Sequence, residues 1–211
     1  VRSTKEGAWR SNGKLTVDYM KTVRRIAGHT VGIIGFGDIG RAFATRMRSF
    51  GPTRIIAHDP YVPQTTADLY GVELVSLETL LGESDYVSIH TALTDETRHM
   101  INEDTLKLMK PTAILVNTAR GPVIDGNALA SALQAGTIEA AGLDVTEIEP
   151  VESHDPLLAL PNAIVTPHLA GFSPTFLEEC PIRQAENIIR VLTGKAVSYT
   201  HLRAHETFAN R

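Results

Sequence analysis

The residues able to do chemistry in this chain gather where short apolar runs end. Gly35-Phe36-Gly37-Asp38-Ile39-Gly40 spells G-x-G-x-x-G directly after the run Thr30–Ile34 and before a helical pattern. That context gives each glycine a task. Gly35 permits a tight turn, Gly37 lets the backbone approach a pyrophosphate, and Gly40 lets a helix pack closely on its strand. The N–H groups of Asp38 and Ile39 would then face the phosphates at the positive end of a helix dipole. Asp59 follows 19 residues after Gly40, at the end of the next apolar run. A carboxylate there accepts hydrogen bonds from a ribose 2′-hydroxyl and repels a 2′-phosphate, which favours NAD over NADP. Three later runs also end in polar groups: Asn117-Thr118-Ala119-Arg120-Gly121, Asp144-Val145-Thr146-Glu147-Ile148-Glu149-Pro150, and Thr166-Pro167-His168-Leu169-Ala170-Gly171. Ligands of open α/β sheets lie beyond the carboxyl ends of the strands, so Arg120, Asp144, Glu149 and His168 can share one crevice although scattered in sequence.

The elements that must position these residues are legible as patterns. Apolar runs at Thr30–Ile34, Arg54–His58, Val72–Val75, Tyr86–His90, Ala113–Asn117, Ala140–Val145 and Ala163–Val165 read as strands. Helical patterns at Arg41–Phe50, Leu77–Leu81, Asn102–Met109, Asn127–Gln134 and Thr175–Leu192 lie between or after them. The strands are continuously apolar rather than alternating, as expected of strands buried on both faces of a parallel sheet. The fold class is therefore α/β, a doubly wound parallel sheet of Rossmann type. Residues 1–29 read as a lead-in loop or helix containing Trp9 and Tyr19, 30–172 as the nucleotide-binding domain, and 173–196 as a final helix. Pro181 should kink or break that helix, because it removes a backbone donor and crowds the preceding turn.

Composition excludes other classes. Among 211 residues, 43% are hydrophobic and 21% charged, which is ordinary globular usage. Twenty Lys and Arg against 24 Asp and Glu give a net charge of -4, with no basic surplus for a nucleic-acid partner. No apolar run is long enough for a membrane span. The single cysteine, Cys180, cannot form an internal disulfide, which fits a reducing, cytoplasmic setting. Cys180 reads as a packing residue, and His29, His58, His90, His99 and His154 as structural or surface groups. Val197-Ser198-Tyr199-Thr200-His201-Leu202-Arg203-Ala204-His205-Glu206-Thr207 equals the translation of a DNA string resembling a transposon adaptor used in sequencing libraries. Residues 197–211 are accordingly read as a non-native tail and kept out of the fold. With the missing initiator Met at Val1, the tail suggests a piece of a longer protein.

The Gly35 loop combined with the Asn117, Asp144 and Thr166 segments resembles the D-isomer-specific 2-hydroxyacid dehydrogenase family. That family includes phosphoglycerate, glyoxylate/hydroxypyruvate and D-lactate dehydrogenases and the corepressors called C-terminal-binding proteins. The resemblance covers roughly residues 7–195. It implies Arg120, Glu149 and His168 as the catalytic set and no metal. It also implies NAD contacts from Gly35, Gly37, Asp38, Ile39, Gly40, Asp59, Thr118, Ala119, Arg120, Asp144, His168, Ala170 and Gly171. The implied substrate is a small 2-hydroxy or 2-oxo acid, and the implied assembly a homodimer. The residue types suit such chemistry. Imidazole titrates near neutral pH and suits His168 for proton transfer. A carboxylate beside it favours the imidazolium, with Glu149 placed for this and Glu147 a rival on the same stretch. The donor fork of Arg120 suits a substrate carboxylate, and Asp144 can orient the nicotinamide carboxamide.

The sequence departs from the family at Thr91-Ala92-Leu93-Thr94, where relatives usually carry a proline before Leu-Thr, and at Pro181. The family's N-terminal substrate-domain half is not represented. An alternative function on the same fold is a NAD-sensing, corepressor-like module that recruits partner peptides. NADH is expected to bind more tightly than NADPH in a fluorescence titration, and equal affinities would refute the role of the Asp59 carboxylate.

Overall fold

The computed structural model of the chain describes Gly7 and residues 23–196. The reading of residues 1–29 falls outside the described residues except at Gly7 and residues 23–29, Trp9 and Tyr19 lying outside, and that of the 197–211 tail lies entirely outside them.

The described chain alternates strand and helix: β1 (Thr30–Ile34), α1 (Asp38–Met47), β2 (Arg54–His58), α2 (Gln64–Asp68), β3 (Glu73–Leu74), α3 (Leu77–Glu83), β4 (Tyr86–Ile89), α4 (Glu103–Lys107), β5 (Ile114–Asn117), α5 (Gly126–Ala135), β6 (Ala140–Leu143), β7 (Ala163–Val165) and α6 (Pro174–Leu192). Short 3-10 turns occupy Arg48–Phe50, Gly121–Val123 and Pro156–Ala159. The seven strands form one parallel sheet in the order β3-β2-β1-β4-β5-β6-β7. The doubly wound fold read from the sequence is thus the fold observed.

Both faces of the sheet are covered, which explains the unbroken apolar strands. Val31, Ile33, Ile55 and Ala57 point into one cluster with Phe36, Ala44, Ala67 and Val72. Ile34, Ile56, Val87, Ile89 and Leu115 point into the other, with Leu80, Leu81, Ile101, Leu106 and Leu129. Gly32 lets α3 come close, since a Cβ there would stand 2.8 Å from a Leu80 methyl. Four helices start on side-chain caps, α6 through Ser173, which accepts the Phe176 N–H at 3.0 Å. Ser76 accepts the Thr79 N–H, Asn102 builds a capping box with Thr105, and Asp125 accepts the Ala128 N–H.

The register is what serves function. Ile34 pairs with His58 on one side and Ile89 on the other, Ile89 with Asn117, Asn117 with Leu143, and Leu143 with Val165. The carboxyl ends of six strands therefore stand in one row. The connections out of β1 and into β4 run in opposite directions along the sheet, leaving a crevice at the end of β1.

Several local expectations need correction. The helix after β1 begins at Asp38 rather than Arg41, inside the glycine loop. Helix α2 has no apolar periodicity to announce it. It is held instead by Gln64, which donates to Asp68 at 2.7 Å and to the Val72 carbonyl at 3.0 Å and accepts the Leu74 N–H at 2.8 Å. Pro181 does not break α6, which runs unbroken from Pro174 to Leu192. Leu177, whose carbonyl loses its partner to the proline ring, is 60% exposed, so water can take the place of the missing donor. Cys180 is half-buried in a helix that has no buried residue.

The chain divides into two compact units, Val1–Pro167 and His168–Arg211. The first holds the whole sheet, and the second holds α6 with exposed Phe176, Leu177, Ile182, Ile188, Ile189 and Leu192. Among the described residues no helix is long and apolar enough to cross a membrane. Leu115 is fully buried at the centre of the sheet. Leu115→Ala is expected to lower unfolding free energy by ~2–5 kcal/mol in urea titration, through lost burial and the cavity left behind.

Candidate functional site

The turn after β1 is built on crowding at two glycines and space at a third. Gly35 adopts φ +89°, and a Cβ there would lie 2.6 Å from the Thr91 nitrogen and 2.7 Å from the His90 carbonyl carbon. A Cβ on Gly40 would stand 2.2 Å from the Gly35 oxygen, so α1 rests against the loop itself. Around Gly37 nothing lies within 4 Å of such an atom. Gly37 also starts α1 without any side-chain cap, and the first helical bond is Arg41 N–H to the Gly37 carbonyl at 2.9 Å. The N–H groups of Asp38, Ile39 and Gly40 therefore have no partner within the helix. Uncapped donors, a positive dipole end and open space fit a pyrophosphate.

Asp59 lies beside this loop and is part of it. Its Oδ2 accepts the Phe36 N–H at 2.8 Å and its Oδ1 accepts the Tyr61 N–H at 2.9 Å. A carboxylate offers about four lone-pair sites, so two remain for ribose hydroxyls. The strand-end acid thus binds the loop, a role that spacing alone did not reveal.

A second group forms at the exits of β5 and β6. Asn117 is fully buried; its Oδ1 accepts the Ala119 N–H at 2.9 Å and its Nδ2 donates to the Arg120 carbonyl at 3.0 Å. This brace folds Thr118–Arg120 into a tight turn. Arg120 is exposed and its Nη1 donates to the Ala119 carbonyl at 2.6 Å. Gly121 lies so close to the next strand exit that a Cβ would fall 1.7 Å from the Thr146 oxygen. Asp144 is buried and its Oδ1 accepts the Thr166 hydroxyl at 2.5 Å. Glu149 is exposed, and its Oε1 accepts the Thr146 N–H at 3.1 Å. Glu147, the rival carboxylate, is engaged elsewhere: 2.7 Å from His99 Nε2 and accepting the Gly126 N–H at 3.2 Å.

His168 opens the second unit, together with Ala170 and Gly171. It is exposed and takes φ +55°, a left-handed backbone conformation uncommon for a residue with a Cβ. Within the first unit, Asp59 bonds the Gly35–Gly40 loop, and Gly121 brings the Arg120 turn against the Thr146–Glu149 turn. Sequence reasoning passed over Asn117 and Gly121 as ligand-side supports. Their only local signal was their position at a strand end beside Arg120.

A parallel sheet of this order, with a G-x-G-x-x-G turn leaving β1, defines a dinucleotide-binding α/β domain. The comparisons narrow that class. The chain belongs to the D-isomer specific 2-hydroxyacid dehydrogenase family, whose NAD binding domain matches residues 1–170. Glyoxylate reductase of Korarchaeum cryptofilum is 48% identical over 170 residues, 81% of this chain and 51% of that protein. The apo D-mandelate dehydrogenase of Rhodotorula graminis superposes with a TM-score of 0.85 at 32% identity, over 96% of this chain and 59% of that one. A D-isomer specific 2-hydroxyacid dehydrogenase from Xanthobacter autotrophicus, in complex with NADPH and MES, superposes with a TM-score of 0.71 at 34% identity, over 83% of this chain and 71% of that one. The chain thus spans about half the length of the curated relatives it matches.

His90 follows β4 against the same loop. Its N–H donates to the Ile34 carbonyl at 2.6 Å, its Nε2 lies 2.9 Å from Ser88 Oγ, and its ring sits 4.9 Å from that of Phe43. Burial pushes its pKa down from 6.5 to about 4. An unfolded chain takes up this proton near pH 6.5 and the folded chain only near pH 4, so stability is lost as pH falls through that window. The urea midpoint of the wild type should fall more steeply than that of His90→Gln between pH 7 and pH 4. Parallel curves would remove His90 from the pH response.

Proposed function

We propose that the protein encoded by the complete gene is an NAD-dependent D-2-hydroxyacid dehydrogenase acting on a small 2-oxo acid. The observation that carries the proposal is the display of Arg120 and Glu149 from adjoining strand-exit turns, in a chain of this family with an open phosphate loop. The name of the Korarchaeum relative makes glyoxylate the first substrate to try.

Gly35, Gly37, Asp38, Ile39 and Gly40 would hold the pyrophosphate and Asp59 a ribose, with Thr118, Ala119, Arg120, Asp144, His168, Ala170 and Gly171 completing the NAD contacts. When bound, the nicotinamide supplies a hydride to the carbonyl carbon of the acid. Arg120 holds the substrate carboxylate with its donor fork and polarises the carbonyl. His168, as imidazolium, gives its proton to the carbonyl oxygen, completing the hydroxyl, and takes one back in the oxidative direction. Glu149 assists that proton transfer as the third member of the catalytic set. Asp144, buried and hydrogen-bonded to Thr166, orients the carboxamide. A homodimer in the cytoplasm is part of the same proposal.

The test is an assay of a panel of 2-oxo acids, glyoxylate first, with NADH. His168→Gln should lower kcat/KM by at least ~100-fold while NADH binding persists. Unchanged turnover would remove His168 from proton transfer. Peptide capture without turnover of any 2-oxo acid would favour the NAD-sensing binding module instead.

A further inference from the structure

We infer that Glu147 is a positioning residue, which holds through its pair with His99 the turn that presents Glu149. The inference rests on the role of Glu149 proposed above. Glu147 uses both carboxylate oxygens: Oε1 lies 2.7 Å from His99 Nε2 and Oε2 accepts the Gly126 N–H at 3.2 Å. These contacts join the chain after β4, the chain after β5 and the chain after β6, three neighbouring strand exits.

His99 is itself held firmly. Its N–H donates to the Pro122 carbonyl at 2.9 Å, and its carbonyl accepts from Asn102 Nδ2, the capping residue of α4, at 3.0 Å. Its backbone takes φ +50°, a conformation that a residue with a Cβ keeps only where its surroundings enforce it. On the other side, Thr146 presses its carbonyl towards Gly121 and donates its hydroxyl to the Ile148 carbonyl at 2.7 Å. The Thr146 N–H in turn meets Glu149 Oε1 at 3.1 Å. Glu147 therefore anchors the middle of a four-residue turn whose last side chain is Glu149. With Glu147 and His99 side chains 35% and 39% exposed, the pair adds little to global stability. Leu143 and Val145 of the same segment lie in the interior. A brace of this kind acts on geometry, where small displacements of a catalytic group are costly.

The experiment uses the protein from the complete gene, with glyoxylate and NADH. Glu147→Ala should lower kcat about 100-fold, leaving NADH affinity and the unfolding temperature close to wild type. Glu147→Gln, which keeps an acceptor oxygen, should recover most of the loss. His99→Ala should reproduce the loss, and the double variant should be no worse than either single one. Wild-type kcat in Glu147→Ala overturns the role. So does a rate loss that tracks a fall in unfolding temperature and is not recovered by Glu147→Gln, which would make the pair a brace of the fold alone. A wild-type protein that turns over no 2-oxo acid instead overturns the role of Glu149 on which the pair depends, and is seen before any variant is made.

Discussion

The hydrogen bond from the Phe36 N–H to Asp59, at 2.8 Å, joins the exits of β1 and β2 at the point where the sheet's connections reverse. It has two companions in the backbone. Gly35 N–H donates to the His58 carbonyl at 2.9 Å, and His90 N–H to the Ile34 carbonyl at 2.6 Å. Together they prolong the ladder by one step beyond the strands and fix the height at which the glycine loop turns. Only a residue without a Cβ passes between His90 and Thr91 there, and only another lets α1 rest on the loop's own carbonyl. The open space at Gly37 is left over from these two crowded contacts.

The same logic runs along the rest of the row. Asp144 N–H donates to the Asn117 carbonyl at 2.9 Å and Thr166 N–H to the Leu143 carbonyl at 2.8 Å, so each exit starts from its neighbour's backbone. Asn117 then turns its own chain so that Arg120 emerges exposed, and Gly121 admits the next exit at close range. Buried polar groups of this kind are costly unless fully bonded, and Asn117 satisfies both ends of its amide. A rigid support of exposed charged groups is the general requirement for a site that must hold a small anion in one orientation.

Much of this was legible from residues close together in the chain. Continuous apolar runs, helical spacing and the three glycines are local patterns, and they specified a parallel sheet and a phosphate turn. The same patterns placed Arg120, Asp144, Glu149 and His168 at strand ends. Local patterns failed where the cause was not local. Helix α2 is polar and is tied by Gln64 to residues up to ten positions away. The proline rule anticipated a kinked or broken α6, and a single lost hydrogen bond on a solvent-exposed helix did not break it.

The sequence by itself determined the class of fold, the dinucleotide loop and the acid at the end of β2, because each depends on spacing within one strand-turn-helix unit. Only the tertiary structure shows that Glu147 and Glu149 have different partners. Both are carboxylates on one short stretch, and what separates them is His99, 48 residues away in sequence. It likewise decided that Asp59 bonds a backbone 23 residues earlier and that His90 is held neutral by burial. Contacts of such separation are set by strand order and register, which no short run of residues encodes.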